Sequence, residues 1–140
     1  MIPQRGFLHP MSEIVGYARV SSTSQHLDAQ MDALHQAGCT KTFTDTDSGA
    51  KSSRPGWEAL RAYLRPGDVL VITELSRMTR SLMHLLHIVQ ELEERQVALQ
   101  SLREHIDTST ATGRGFLALM GVIAQMEREI KAERAAAGRA

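Results

Sequence analysis

Tyr17, Arg19 and Ser21 occupy alternate positions at the end of the short run EIVGYARV. As strand residues their side chains share one face where the chain enters the polar SSTSQ segment. Arg77 and Arg80 follow the apolar run VLVIT and lie three residues apart, the spacing of one face of a helical turn. The polar, glycine-containing stretch TDSGAKSSR adds Ser48 and Arg54. In an open α/β sheet, chemistry gathers beyond the carboxyl ends of the strands, and all these residues belong to such ends or to the loops leaving them. A serine hydroxyl among several arginines suits phosphoryl transfer better than acyl transfer. Attack on a phosphodiester builds charge on the non-bridging oxygens. Arginine forks hold phosphate bidentately and stay charged at any working pH. No Ser-His-carboxylate arrangement is evident.

Each residue also has an ordinary role. A strand-end serine is most often a turn or cap residue, and an Arg-x-x-Arg pair is usually a solvated helix face, so the combination carries the inference. His84 and His87, at helical spacing, lack a convincing third ligand and read as ordinary surface or partly buried residues. Trp57 reads as a packing residue rather than a base-stacking platform. Cys39 is the single cysteine, which excludes an internal disulfide and a cysteine-based zinc site and fits a reducing, cytoplasmic setting. The 16 basic and 16 acidic residues cancel, so any case for DNA rests on placement rather than on net charge. No stretch approaches the roughly 18 to 20 apolar residues needed to cross a bilayer, so no membrane partner is expected. The opening MIPQRGFLHP lacks a signal-peptide core, and its prolines and glycine read as a disordered leader over residues 1–11.

The elements that must position these residues follow from periodicity. EIVGYARV reads as a strand, and Leu27, Met31 and Leu34 mark a helix over about 26–37 that ends at Gly38. KTFTD, 41–45, is a second strand, and the stretch after it is read as mobile. Pro55 suits the first turn of a helix carrying Trp57, Leu60 and Leu64. RPGD, 65–68, is a turn, and VLVIT is a strand buried on both faces. Ser81 can cap a helix in which Leu82, Leu85, Leu86, Val89 and Leu92 keep period to about Arg95, and VALQSL returns to strand. The fold class is therefore α/β, a mainly parallel sheet flanked by helices. From about 114 to 137 one long helix carries two apolar stripes, Phe116, Met120, Ile123 and Ile130, and Leu119, Val122 and Met126. We expect one stripe to pack on the domain and the other on a partner subunit, against the alternative of one wide core-facing helix.

The runs YARVSSTSQHLDAQ, FTDTDSGAKSSRPG, ELSRMTRSLMHLL and DTSTATGRGFLALMGVIAQMEREI, in this order, resemble the catalytic domain of small serine recombinases of the resolvase/invertase type, over about residues 13 to 137. The resemblance implies that Ser21 is the nucleophile, attacking a DNA backbone phosphate to give a 5′-phosphoserine linkage and a free 3′-hydroxyl. It implies that Arg19, Arg77 and Arg80 bind the scissile phosphate. Arg54 and Ser48 match an arginine and a serine of the mobile loop, Gln25 and Gln30 active-site glutamines, and Tyr17 a tyrosine lining the site. Glu127 and Arg128 match a Glu-Arg pair of the long helix that looks like a link between site and subunit interface. The implied partners are DNA and further copies of the chain, a homodimer that becomes a tetramer in the synaptic complex. No metal, nucleotide or other cofactor is implied, because the energy of the broken bond is kept in the phosphoserine ester.

One position departs from the pattern. Where the family commonly has aspartate, as in L-D-R-x-x-R, this chain has Ser76, which cannot supply a charge to orient an arginine or move a proton. The general base is therefore left open. By domain, the expectation is a leader over 1–11, an α/β catalytic unit over 12–110 and a dimerisation helix over 111–140. On the same expectation, the helix-turn-helix domain that usually follows in such proteins and reads the site has no counterpart here. An alternative is a truncated, non-catalytic partner that oligomerises with full-length recombinase and modulates it. A domain binding a small phosphorylated ligand is disfavoured by the absence of GxGxxG or Walker-type loops.

Overall fold

The computed structural model describes residues 12–20, 24–46, 54–78 and 81–138, with backbone alone at 24–26. Five strands, β1 (Ile14–Val20), β2 (Lys41–Thr46), β3 (Val69–Ile72), β4 (Ala98–Ser101) and β5 (Ile106–Asp107), form one sheet in the order β2-β1-β3-β4-β5. Four helices, α1 (Ser24–Gln36), α2 (Pro55–Tyr63), α3 (Leu82–Glu94) and α4 (Ala111–Gly138), accompany it. A 3-10 turn, Leu75–Arg77, follows β3. Strands β2, β1, β3 and β4 run parallel, and β5 pairs antiparallel with β4. The expected α/β architecture is thus observed, with β5 as an addition. At two residues, β5 is too short for an alternation that sequence could display.

All four residues of β3 are buried, as its unbroken apolar run predicts. Leu70 and Ile72 enter the larger core with Val15, Tyr17 and Leu99, while Val69 and Val71 face Ala18, Leu34 and Cys39 on the other side. Full burial of a side chain such as Leu70 or Ile72 contributes roughly 1.5–3 kcal/mol. Helices α2, α3 and the start of α4 cover the first face, and α1 covers the second. Pro55 is at the first turn of α2, and the Ser81 side chain caps α3 by accepting from the His84 N–H, both as expected. Among the described residues no helix is long and apolar enough to cross a membrane.

Helix α4 begins at Ala111, three residues before the apolar periodicity that marks it in the sequence. Thr110 Oγ1 accepts from the Gly113 N–H at 2.9 Å, so the segment ATGRG is capped into the helix rather than left as a loop. Gly113 also lies against β5, where a Cβ would come 2.0 Å from the Asp107 carbonyl oxygen. The expected division of stripes needs correction. Gly113, Leu117 and Ala124 are the helix residues buried on the domain, with Met120 packed partly against the core. Phe116, Leu119, Val122, Ile123, Met126 and Ile130 are exposed by 41% to 58%. The docking face was hidden in the sequence because half of it is glycine and alanine. Replacing Gly113 with alanine pushes a methyl group into backbone, and we expect a loss of about 3 kcal/mol or more in urea unfolding. A loss under about 1 kcal/mol would mean that the start of α4 is not held against β5 in this way.

Candidate active site

The sheet opens at the end of β1. Pairing with β3 stops at Tyr17 and Ile72, whereas pairing with β2 continues to Val20 and Thr46. The Arg19 peptide group must therefore find other partners on the β3 side. Gln30, reaching from α1 and only 6% exposed, supplies them with both ends of its amide. Its Nε2 donates to the Arg19 carbonyl at 3.1 Å, and its Oε1 accepts from the Arg19 N–H at 3.3 Å. Arg77 Nη1 donates to the same carbonyl at 3.4 Å, and Arg19 Nη2 donates to the Ser76 carbonyl at 3.2 Å. Each arginine is thus tied to the backbone of the other's segment.

Arg77 Nε and Thr73 Oγ1 are buried and have no hydrogen-bond partner among the described residues. With Ala29, Gln30, Ala33 and Glu74, these two residues line an open cleft of about 260 Å³ beside the end of β1. Glu74 accepts from the Ser76 hydroxyl at 2.5 Å and from Arg103 Nη1 at 3.3 Å. These bonds, the Ser76 hydroxyl first, hold its carboxyl below the ordinary value, and the nearby Arg77 charge adds to the effect.

A second network backs the first. The Tyr17 hydroxyl donates to Asp45 Oδ2 at 2.6 Å. The same carboxylate accepts from Gly56 N–H at 2.7 Å and Trp57 N–H at 2.9 Å, so it caps α2 from a neighbouring strand. Gly56 is required for that approach, since a Cβ there would lie 2.1 Å from the Thr44 carbonyl oxygen. Arg54 donates to the Tyr17 oxygen from Nε and Nη2, at 3.3 and 3.2 Å, and to the Met78 carbonyl at 2.7 Å. Its guanidinium lies 5.5 Å from the Tyr17 ring centroid and 5.4 Å from that of Trp57. Those two rings meet edge to face at 5.1 Å. Burial first, then the bond to Asp45, pushes the Tyr17 hydroxyl up to about 12.

The family described as "Resolvase, N terminal domain" matches residues 14–140. The chain belongs to this resolvase N-terminal domain family. A DNA-invertase of Escherichia phage P1 is 45% identical over 125 residues, covering 89% of this chain and 67% of that protein. The DNA-invertase hin of Salmonella typhimurium is 43% identical over 124 residues, covering 89% and 65%. The chain thus spans about two thirds of the length of these curated relatives. The solved N-terminal catalytic domain of TP901-1 integrase is 31% identical with a TM-score of 0.70, covering 84% of this chain and 97% of that one. A resolvase family site-specific recombinase from Streptococcus pneumoniae shares the fold at 18% identity, with a TM-score of 0.68 and coverage of 91% and 95%.

In this resolvase domain Arg19, Gln30, Ser76 and Arg77 come together at the end of β1, and Tyr17 and Arg54 meet on the adjoining core face. Ser21, Ser48 and Arg80 lie outside the described residues, as does the side chain of Gln25, whose backbone belongs to α1. Glu127 and Arg128 are exposed on α4 beyond Ala124, its last residue buried on the domain. His84 and His87 are exposed, Trp57 is buried, and no cluster of three metal-ligating side chains occurs among the described residues. Asp45 and Glu74 were missed by sequence reading. Each had a faint signal, an aspartate inside a strand and an acid directly after an apolar strand.

Removing the Tyr17 hydroxyl leaves a buried carboxylate one donor short, so Tyr17→Phe should cost about 1–3 kcal/mol in urea unfolding at neutral pH. Because folding raises the tyrosine from 10.0 to about 12, the unfolded chain loses this proton first as pH rises. Stability from this group is complete below 10 and falls between 10 and about 12, by about 1.4 kcal/mol per pH unit. Burial also raises Cys39, to about 11, so the quantity to measure is the difference between wild type and Tyr17→Phe. Parallel alkaline losses in the two proteins would exclude the tyrosine as the source.

Proposed function

We propose that the chain is the catalytic unit of a serine site-specific DNA recombinase that cuts and rejoins DNA through Ser21. The serine oxygen bonds to phosphorus, the P–O3′ bond breaks and the 3′ oxygen leaves with a proton, giving a 5′-phosphoserine ester and a free 3′-hydroxyl. Attack by a 3′-hydroxyl on that ester reverses the step and releases the serine. The observation that carries the reading is the reciprocal tie between Arg19 and Arg77 at the end of β1, two residues before Ser21. Two permanent cations held by backbone at that edge suit the equatorial oxygens of a phosphodiester under attack. The buried Arg77 Nε, without a partner among the described residues, has the donor that a phosphate oxygen accepts. Arg80, three residues on, is assigned the same role. Arg54 is assigned to the support of Tyr17 and the α2 start, from which it reaches the same sheet end.

The reading extends to self-association. Phe116, Leu119, Ile123, Met126 and Ile130 recur at intervals of three and four residues, the seam of a two-helix packing, and all are exposed. An exposed seam this long on α4 suits the same helix of a second copy.

Replacing Ser21 with alanine should abolish covalent protein–DNA attachment, scored as a gel-shifted species that survives denaturant. Attachment persisting in that variant would rule out Ser21 as nucleophile. Met126→Glu places a charge in the seam and should move the sedimentation profile to monomer. An unchanged profile in Met126→Glu would place self-association elsewhere.

A further inference from the structure

The turn that carries Arg77 is built around one carboxylate. Glu74 ends the extended chain after β3, and its carbonyl accepts from the Arg77 N–H at 3.0 Å, closing the 3-10 turn. Its side chain closes the same turn again, accepting from the Ser76 hydroxyl at 2.5 Å. Ser76 then reaches the other way, its carbonyl accepting from Arg19 Nη2 at 3.2 Å. One residue therefore connects the carboxylate to the β1 guanidinium, while the Arg77 charge lies close enough to act on Glu74 directly. The far side is braced as well: Arg103 Nη1 donates to Glu74 at 3.3 Å, and the Arg103 N–H donates to the Thr73 carbonyl at 2.8 Å. Glu74 thus pairs directly with the exposed Arg103, feels the Arg77 charge and reaches Arg19 through Ser76, and it lines the same cleft as Arg77 Nε and Thr73 Oγ1.

We propose that Glu74 is the positioning carboxylate of this site, holding the Leu75–Arg77 turn through the Ser76 hydroxyl so that Arg19 and Arg77 present their donors to the phosphate. Ser76 is then the link through which the carboxylate acts, and the charge its own side chain lacks is supplied from two residues upstream. A fixed anion offsets the mutual repulsion of the arginines and restricts their orientation before the phosphate arrives. The competing account is a surface ion pair between Glu74 and Arg103, a contact between partly exposed groups that contributes little.

The inference rests on the recombinase reading, and the test separates the two. The probe is a duplex oligonucleotide with a 3′-bridging phosphorothiolate, whose thiol leaving group makes attachment by the full chain irreversible. Glu74→Gln keeps the size and an acceptor but removes the charge. It should slow attachment at saturating DNA on the order of 10- to 100-fold while leaving DNA affinity nearly unchanged. Glu74→Gln combined with Ser76→Asp returns a carboxylate to the same turn and should recover most of the rate. Arg103→Gln, which removes only the surface partner, should stay within about threefold of wild type. The Arg77 Nε–H resonance, read without DNA, should shift in Glu74→Gln and move back in the double variant. Wild-type attachment rates in Glu74→Gln, no recovery in the double variant, or an equal loss in Arg103→Gln each overturn the proposal. Should wild type give no attachment while the Arg77 resonance responds as stated, the recombinase reading fails and the positioning role stands.

Discussion

Strand β1 runs three residues further along β2 than along β3, and the site follows from that mismatch. A peptide group at a sheet opening cannot be left unpaired when it is shielded from water, because the lost hydrogen bonds cost as much as a good contact gains. Gln30 satisfies the Arg19 peptide with both ends of its amide, imitating the missing strand, and Arg77 adds a donor to the same carbonyl. Satisfying the backbone therefore brings a second guanidinium to the first. The structural need and the chemical arrangement have the same origin, which explains why arginine recurs where a neutral donor would have sufficed for pairing alone.

Asp45 does for the core what Gln30 does for the edge. A carboxylate this buried is tolerated because its oxygens receive the Tyr17 hydroxyl and two backbone N–H groups at the start of α2. The helix start in turn supports Trp57 against Tyr17, and Arg54 lies over both rings while bonding the Tyr17 oxygen and the Met78 carbonyl. Strands β1 and β2, helix α2 and the chain after the 3-10 turn meet at this one polar knot inside an apolar face. Movement of any of them is felt by the others, and Arg19 is two residues from Tyr17 along the same strand.

What the sequence displayed and what it hid divide along physical lines. Periodicity over long segments was legible: the four parallel strands, the α1 and α3 patterns and the buried β3 run are all observed close to their expected bounds. The alternation of Tyr17 and Arg19 on β1 was legible for the same reason, and so was the gathering of Arg77 at that sheet end. The pairings that fix those side chains were not, because Gln30, Asp45 and Glu74 act over sequence separations of up to 29 residues or through backbone atoms. Hydrogen bonds from a side chain to a distant peptide leave no periodic trace. The role of Ser76 was read from its side chain, whereas its carbonyl carries the contact to Arg19.

Helix α4 illustrates a different blind spot. Pattern reading looks for large apolar residues and takes their stripe for the core face. Here the core face is Gly113, Leu117, Met120 and Ala124, where Gly113 lets the helix approach β5 closely, and most of the large apolar residues point away. Half of that docking face is small while six large apolar residues, Phe116, Leu119, Val122, Ile123, Met126 and Ile130, stay outside, a partial reversal of the usual economy of burial. Hydrophobic area left outside by that reversal is stabilising only once something covers it. The close, backbone-level packing at Gly113 fixes the direction in which α4 leaves the domain, and with it the orientation of the exposed seam. The exposed seam and the sheet edge thereby belong to the same body, since β5, against which α4 starts, pairs with the strand next to the one that delivers Arg77.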